Sequence, residues 1–382
     1  MLKTLNLKNN KELPKLVSVL LDQAFMSLTT LLTSIVLART YTKINYADLV
    51  LLFSITIFTL GFQSAIISKP YAISLNDFKK HQIRSYFQFN LNLKIAFTIG
   101  VIVVFPLLYY MLFDAWYTSR FLLFLFYILT HSSYFFVRET LLSERKTKQN
   151  LTYGLACSVS LMVLLFFIFF NKLQDIQIFI GIASIIYGGI ACVYFIKNFQ
   201  WINGIRKQYF AYWNMNWTLG KWLLGSNFLF HISSNIYPWL LLYITTKDDI
   251  AVFGVLMSIA GLVNPVLTAL SSYLLPIFVK MNKNFKSIDQ KLKLWVVFFM
   301  GAAVVLVLIG YFIGQQLIAL LFGSKYGNLG LIVLYPFVVQ AITIVFQPYK
   351  IVLNAIKRTD VNFSDSHTKK YHFSSIGLFF YY

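Results

Sequence analysis

The run Leu294-Trp-Val-Val-Phe-Phe-Met-Gly-Ala-Ala-Val-Val-Leu-Val-Leu-Ile-Gly-Tyr-Phe-Ile313 carries no charged side chain over twenty residues. As a helix it would rise about 30 Å, the thickness of a bilayer's hydrocarbon core. Nine further runs read the same way, at 16–38, 49–67, 93–113, 121–136, 152–170, 176–196, 222–244, 250–278 and 329–346. The reading is an all-α, polytopic membrane protein of about ten transmembrane helices.

Composition agrees. The chain has 382 residues, 58% of them hydrophobic and 12% charged, and a mean hydropathy of +0.68. Soluble domains run at about 45–50% apolar and about 25% charged, so water could not accommodate this surface. The 18% aromatic content suits rings packed in lipid and at headgroup level. Cys157 and Cys192 lie inside apolar runs and read as packing residues. Lys3, Lys8, Lys11 and Lys15 precede the first run as in a signal peptide. The run is too long for one, however, and no small-residue cleavage site follows, so a retained span is expected.

Of the 33 Lys and Arg, 27 fall in the odd-numbered segments between runs and 6 in the even-numbered ones, counting from the N-terminal tail. Basic segments resist translocation, so the odd-numbered ones are expected in the cytoplasm, both termini included. The net charge of +20 then reads as topology. It is spread over short segments rather than gathered on one domain, which argues against a nucleic-acid partner. No extramembrane segment is long enough to carry chemistry. There is no phosphate-cradling glycine loop, no HExxH and no clustered Cys/His, and His81, His131 and His231 are scattered. Enzyme activity and a cofactor are not expected.

The most informative signal is internal. Lys43, Ala47, Leu52, Ser54 and Ile55 recur as Lys247, Ala251, Leu256, Ser258 and Ile259, an offset of 204 residues. The same offset pairs Gln23 with Asn227 and Thr29 with Ser233. Six spans separate the copies, an even number, so the halves would run in the same direction. Two similar bundles around a central cavity are expected, as in alternating-access transporters, with residues 1–200 forming a six-helix bundle and 201–362 a four-helix one.

The polar-starred first span, Leu20-Leu-Asp-Gln-Ala-Phe-Met-Ser-Leu-Thr-Thr-Leu-Leu-Thr-Ser-Ile-Val-Leu-Ala-Arg39, resembles the opening helix of bacterial polysaccharide flippases. Phe253-Gly-Val-Leu-Met-Ser-Ile-Ala-Gly-Leu-Val-Asn-Pro265 and Leu274-Leu-Pro276 resemble that family as well, and Leu321-Phe-Gly-Ser-Lys-Tyr326 resembles its short link after the ninth span. These are O-antigen-type flippases of the multidrug/oligosaccharidyl-lipid/polysaccharide superfamily, and the resemblance covers roughly residues 15–362. It implies a multi-pass protein of the bacterial inner membrane. The implied cargo is a polyprenyl-diphosphate-linked oligosaccharide of O-antigen, lipopolysaccharide or capsule type. The transporter would be driven by H+ or Na+, amid membrane lipids and other polysaccharide-assembly proteins. The family usually has twelve or more helices. Residues 363–382 change character, and a frameshifted or prematurely ended remnant is expected there. A polysaccharide polymerase or ligase, and a multidrug exporter of the same superfamily, are the alternative readings. The first normally carries a large outer loop that this chain lacks.

Candidate site residues follow from the cost of polarity in hydrocarbon. Asp22 would bind a coupling cation, pair with a basic residue, or hydrate at the headgroups. Arg39, Lys69, Arg138, Lys221 and Lys280 sit at span ends, where they either snorkel or touch an anionic head. Gln23 and Asn264 are polar positions in the first and eighth runs. Asn227, His231, Ser234 and Asn235 recur at spacings of three and four and so share a helical face. Such a stripe lines a cavity or bonds a partner helix. Pro106, Pro238, Pro265 and Pro336 would kink their spans, and Gly310 and Gly314 form a GxxxG suited to close helix packing.

Overall fold

The computed structural model describes residues 12–75, 78, 80–113, 119–198, 206–267, 270, 271, 274, 278 and 285–355. Lys280 and the tail 363–382 lie outside them. The described residues are 93% helical with no strand. The order is α1 (Glu12–Thr40), α2 (Lys43–Gln63), a π-helical turn (Ser64–Ser68), α3 (Lys69–Ser74), α4 (Lys80–Phe113), α5 (Ser119–Ser143), α6 (Thr147–Phe170) and α7 (Ile176–Asn198). Then come α8 (Arg206–Asn235), α9 (Tyr237–Ile244), α10 (Lys247–Gly261), α11 (Phe285–Phe322), two 3-10 turns (Ser324–Tyr326 and Gly330–Val333) and α12 (Leu334–Ala355).

Among the described residues, nine segments are long and apolar enough to cross a membrane. The protein is therefore an all-α, multi-pass membrane protein. The difference from ten lies in the seventh run, 222–244. Its helix stops at Asn235 and restarts at Tyr237, with Pro238 in the first turn of α9. A proline fits there because the first turn needs no N–H donor, whereas the middle of one continuous helix would lose a bond. Pro106 does lie inside α4, while Pro336 falls in the first turn of α12.

Residues 1–265 with 311–336 form one compact unit, and 266–310 with 337–382 a second. In the first, α1 packs on α6, α5 on α7, and α2 on α5, α8 and α10. Its interior is aromatic: Tyr127, His131, Tyr134, Tyr153 and Tyr187 pack face to face or edge to face with centroids 4.7–5.9 Å apart. In the second, Gly310 lets Phe337 approach so closely that a Cβ would stand 2.5 Å from its ring, and Gln347 donates to Ser271 Oγ at 2.6 Å. Each unit exposes apolar side chains, Val103, Val163 and Phe170 in the first and Leu308 in the second. Such side chains are tolerated when they face lipid tails, and the helical backbone satisfies its own hydrogen bonds there.

Helices α2 and α10, which carry the two stretches matched at the 204-residue offset, lie side by side and run the same way. Lys43 faces Asp248 (3.8 Å) and Lys247 faces Asp48 (2.8 Å) at their N-terminal ends. Farther along, Gly254 packs against Val50. A Cβ at Gly254 would stand 2.4 Å from Val50 Cγ2, so the missing side chain sets how near the helices come. Overpacking a fitted contact costs about 1–3 kcal/mol, and G254A is expected to lower the thermal unfolding midpoint of the detergent-solubilised protein, followed by fluorescence size exclusion. G189A, at a glycine with open space around it, is expected to leave it unchanged.

Candidate functional site: a polar seam through the first unit

Four groups of polar side chains, most of them buried or half-buried, line the contacts of α2 with its neighbours and the contact of α1 with α5 and α6. The strongest is an ion pair. Asp22 on α1 is 3% exposed, and Arg138 on α5 donates from Nη2 to its Oδ2 at 2.5 Å. Asn150 on α6, fully buried, donates from Nδ2 to the same oxygen at 2.8 Å. Gly154, one turn along α6, leaves the space: a Cβ would stand 2.2 Å from Asp22 Oδ1. Of the three readings of Asp22, the structure selects pairing with a basic residue, and hydration at the headgroups is ruled out by burial. The same pair takes Arg138 away from any snorkelling role.

The second group joins α2, α4 and α5. Gln63 and Ser132 exchange hydrogen bonds, with Ser132 Oγ donating to Gln63 Oε1 at 2.8 Å and Gln63 Nε2 to the Ser132 carbonyl at 3.1 Å. Lys94, 3% exposed, donates to Ser132 Oγ. Two turns farther along α5, Glu139 accepts from Ser64 Oγ at 3.2 Å.

The third group depends on Pro70. Lacking an N–H, it cannot bond the Ile66 carbonyl four residues back, and the turn around that carbonyl is π-helical. Asn216 on α8 donates to the freed oxygen at 3.3 Å. It also donates to Asn90 Oδ1 at 2.8 Å and accepts from Tyr86 Oη at 2.5 Å. Gly220, one turn on, brings α8 so near that a Cβ would be 3.1 Å from the Ala65 carbonyl. Single π-turns inside helices recur at functional sites.

The fourth group is the stripe on α8. Asn227 donates to the Gly61 carbonyl at 2.8 Å and accepts from Lys69 Nζ at 3.5 Å. His231 fills the space left by the absent side chain of Gly61, and its Nδ1 meets Asn235 Nδ2 at 2.9 Å. Ser54 donates to the Asn235 carbonyl at 2.8 Å. The stripe thus bonds a partner helix, α2.

At the other end of α2 stands a charged cluster. Asp48, 3% exposed, is held by Arg120 at 3.0 Å and Lys247 at 2.8 Å. Lys325 reaches the Tyr41 carbonyl, with Tyr326 beneath its ammonium. Burial first, and then neighbouring Lys43, lower the Lys325 pKa. Burial likewise raises that of the Tyr326 phenol.

No protein-family model matches the chain, and no curated protein matches it. Its site therefore rests on its own residues. Gln23 and Arg39 lie exposed on α1, and Lys221 is exposed with its ammonium 5.6 Å from the Trp222 ring, as a headgroup-level lysine would be. Asn264 is exposed just beyond α10. Among the described residues no three His, Cys, Asp or Glu are grouped to hold a metal. Sequence reading missed Lys94, Gln63, Ser132, Asn150 and Asn216. The available signal was polarity inside apolar runs, since Gln63 and Lys94 both fall within them.

Removing one partner of a buried pair strands the other charge and costs about 3–5 kcal/mol, whereas replacing both with apolar groups is far milder. R138M is therefore expected to destabilise the purified protein strongly, and D22L/R138M to recover most of that loss in the same thermal assay. Equal losses in the single and double variants would mean that the pair holds nothing.

Proposed function

We propose that this chain is a flippase carrying a polyprenyl-diphosphate-linked oligosaccharide across the bacterial cytoplasmic membrane by alternating access, without covalent chemistry. The observation that carries the reading is the α2–α10 contact. Two copies of one sequence unit pack in the same direction, tied at one end by Lys43–Asp248 and Lys247–Asp48. Toward the other end of α2 the ties from α8 are hydrogen bonds of Asn227 and Asn235 and the seat of His231. A related pair of helices can rock about such a contact. Lys247 and Arg120 are more than a third exposed, whereas Asp48 is buried, so parting both pairs would strand its carboxylate and this end would act as the pivot.

With the N-terminus in the cytoplasm, as the Lys/Arg asymmetry supports, the charged ends of α2 and α10 face outward and close the outer side. The cargo class rests on the resemblance of 20–39, 253–265 and 321–326 to polysaccharide flippases. Its anionic diphosphate needs cations and amides in place of water, and Lys69 with Asn227 supplies both. A proton or sodium gradient would drive the cycle.

The test is the sidedness of the lipid-linked repeat unit in cells lacking the gene, probed with a membrane-impermeant reagent. Complete units trapped on the cytoplasmic face are the expected result. Units exposed outside but unpolymerised would instead identify a polymerase. Drug hypersensitivity with normal units would identify a multidrug exporter.

A further inference from the structure

Of the six Lys and Arg in the even-numbered segments, three meet at one corner of the first unit. Arg39 lies in the last turn of α1, Lys43 begins α2 and Lys325 sits in the 3-10 turn after α11. Lys43 and Lys325 share one aromatic ring, their ammoniums lying 5.8 and 5.5 Å from the Tyr326 centroid. Lys325 donates to the Tyr41 carbonyl and, at 3.4 Å, to that of Arg39. Gly323 makes the turn that brings it there. Its φ of +98° is closed to most residues with a side chain, and a Cβ on it would stand 3.9 Å from Arg39 Cγ.

One cation at the end of α1 has an ordinary explanation, since helix C-termini attract positive charge. That accounts for Lys325 and its carbonyls but not for three cations. Among the described residues Arg39 forms no ion pair, and Lys43 pairs with Asp248 at 3.8 Å, an acid itself more than half exposed. Asp48 is committed to Arg120 and Lys247, and Asp249 to Thr246 at the start of α10. Lys43 acts on Lys325 as a like charge, adding to the effect of burial in lowering its pKa. Two hydroxyl oxygens of the same corner, Thr40 Oγ1 and Tyr326 Oη, are buried without a hydrogen-bond partner. Donors and positive charge are in excess here, which is the complement of an anion with several acceptor oxygens.

Depth decides what kind of anion fits. Membrane-length segments end at Thr40 and Phe322 and begin at Lys43 and Lys247, so the corner lies where hydrocarbon gives way to headgroups. Ile44, next to Lys43, and Leu320, in the last turn of α11, expose apolar side chains. Cations beside an apolar lip suit a lipid phosphate with its acyl chains alongside. We propose that Arg39, Lys43 and Lys325 hold the phosphate of an anionic phospholipid of the phosphatidylglycerol class, with its acyl chains against Ile44 and Leu320. Such binding needs no cargo and no conformational cycle, and so does not depend on the transport reading.

The test places the full-length protein in lipid nanodiscs carrying a trace of photoreactive phosphatidylglycerol, or of phosphatidylcholine with the same label. Crosslinked peptides are mapped by mass spectrometry. Crosslinks within 39–46 and 318–327 are expected to be about fivefold or more richer with phosphatidylglycerol. R39Q and K325Q are each expected to lower that yield about fivefold, near the worth of one cation at a headgroup. K172Q, which removes a basic residue from another even-numbered segment, is expected to leave it unchanged. R39Q alters an exposed side chain, so it tests the site even where K325Q fails to fold. Equal crosslinking by the two lipids, or a wild-type yield in R39Q, overturns the proposal. Displacement of the phosphatidylglycerol label by inorganic phosphate at matched ionic strength overturns the lipid assignment and makes the corner a free-anion site.

Discussion

Asp22 and Arg138 meet at 2.5 Å because hydrocarbon offers neither of them water. A carboxylate inside a bilayer must find a cation, and a cation there must find a lone pair. The rest of the first unit is arranged around that constraint. Asn150 takes up the same carboxylate oxygen from α6, and Gly154 withdraws its side chain to admit Asp22. One polar residue on α1 thereby fixes the register of α1 against α5 and α6. Apolar packing alone would not, because lipid tails compete with every apolar contact a helix can offer.

A second consequence of the same constraint is the prominence of α2 and its π-helical turn. Pro70 frees a carbonyl that hydrocarbon cannot satisfy, and Asn216 satisfies it. Gly61 and Gly220 let α8 approach, so that His231 and Asn216 reach the α2 backbone and its extension. Helices α2, α4, α5, α8 and α10 are thus linked by directional bonds. A structure held this way has discrete alternatives, since hydrogen bonds and ion pairs are either made or exchanged for others. That property suits an element that would change partners in the proposed transport cycle.

Much of the fold was legible because the bilayer imposes a length. A run such as 294–313 can hardly be anything but a spanning helix. The offset of 204 residues singled out α2 and α10 as a pair, and the two pack side by side in parallel. The seventh run was harder, since α8 owes its place to polar bonds with α2 and its mean apolarity is low. Lys94 was counted with a cytoplasmic segment because it lies one residue inside the edge of its run. Only the partner helices reveal that it is buried. Asp22 was singled out as costly, and three fates remained open for it until Arg138 was found opposite.

The sequence by itself determined that this protein is helical and crosses the membrane many times. Those properties are set by residue type and spacing along one chain, which is where apolar length and periodicity reside. Which polar groups meet was decided by the tertiary structure alone. The bonds Asp22–Arg138, Asn216–Asn90 and Lys94–Ser132 join residues 38 to 126 positions apart. The energy of each depends on distance and on exclusion of water, and neither quantity exists until the helices have packed.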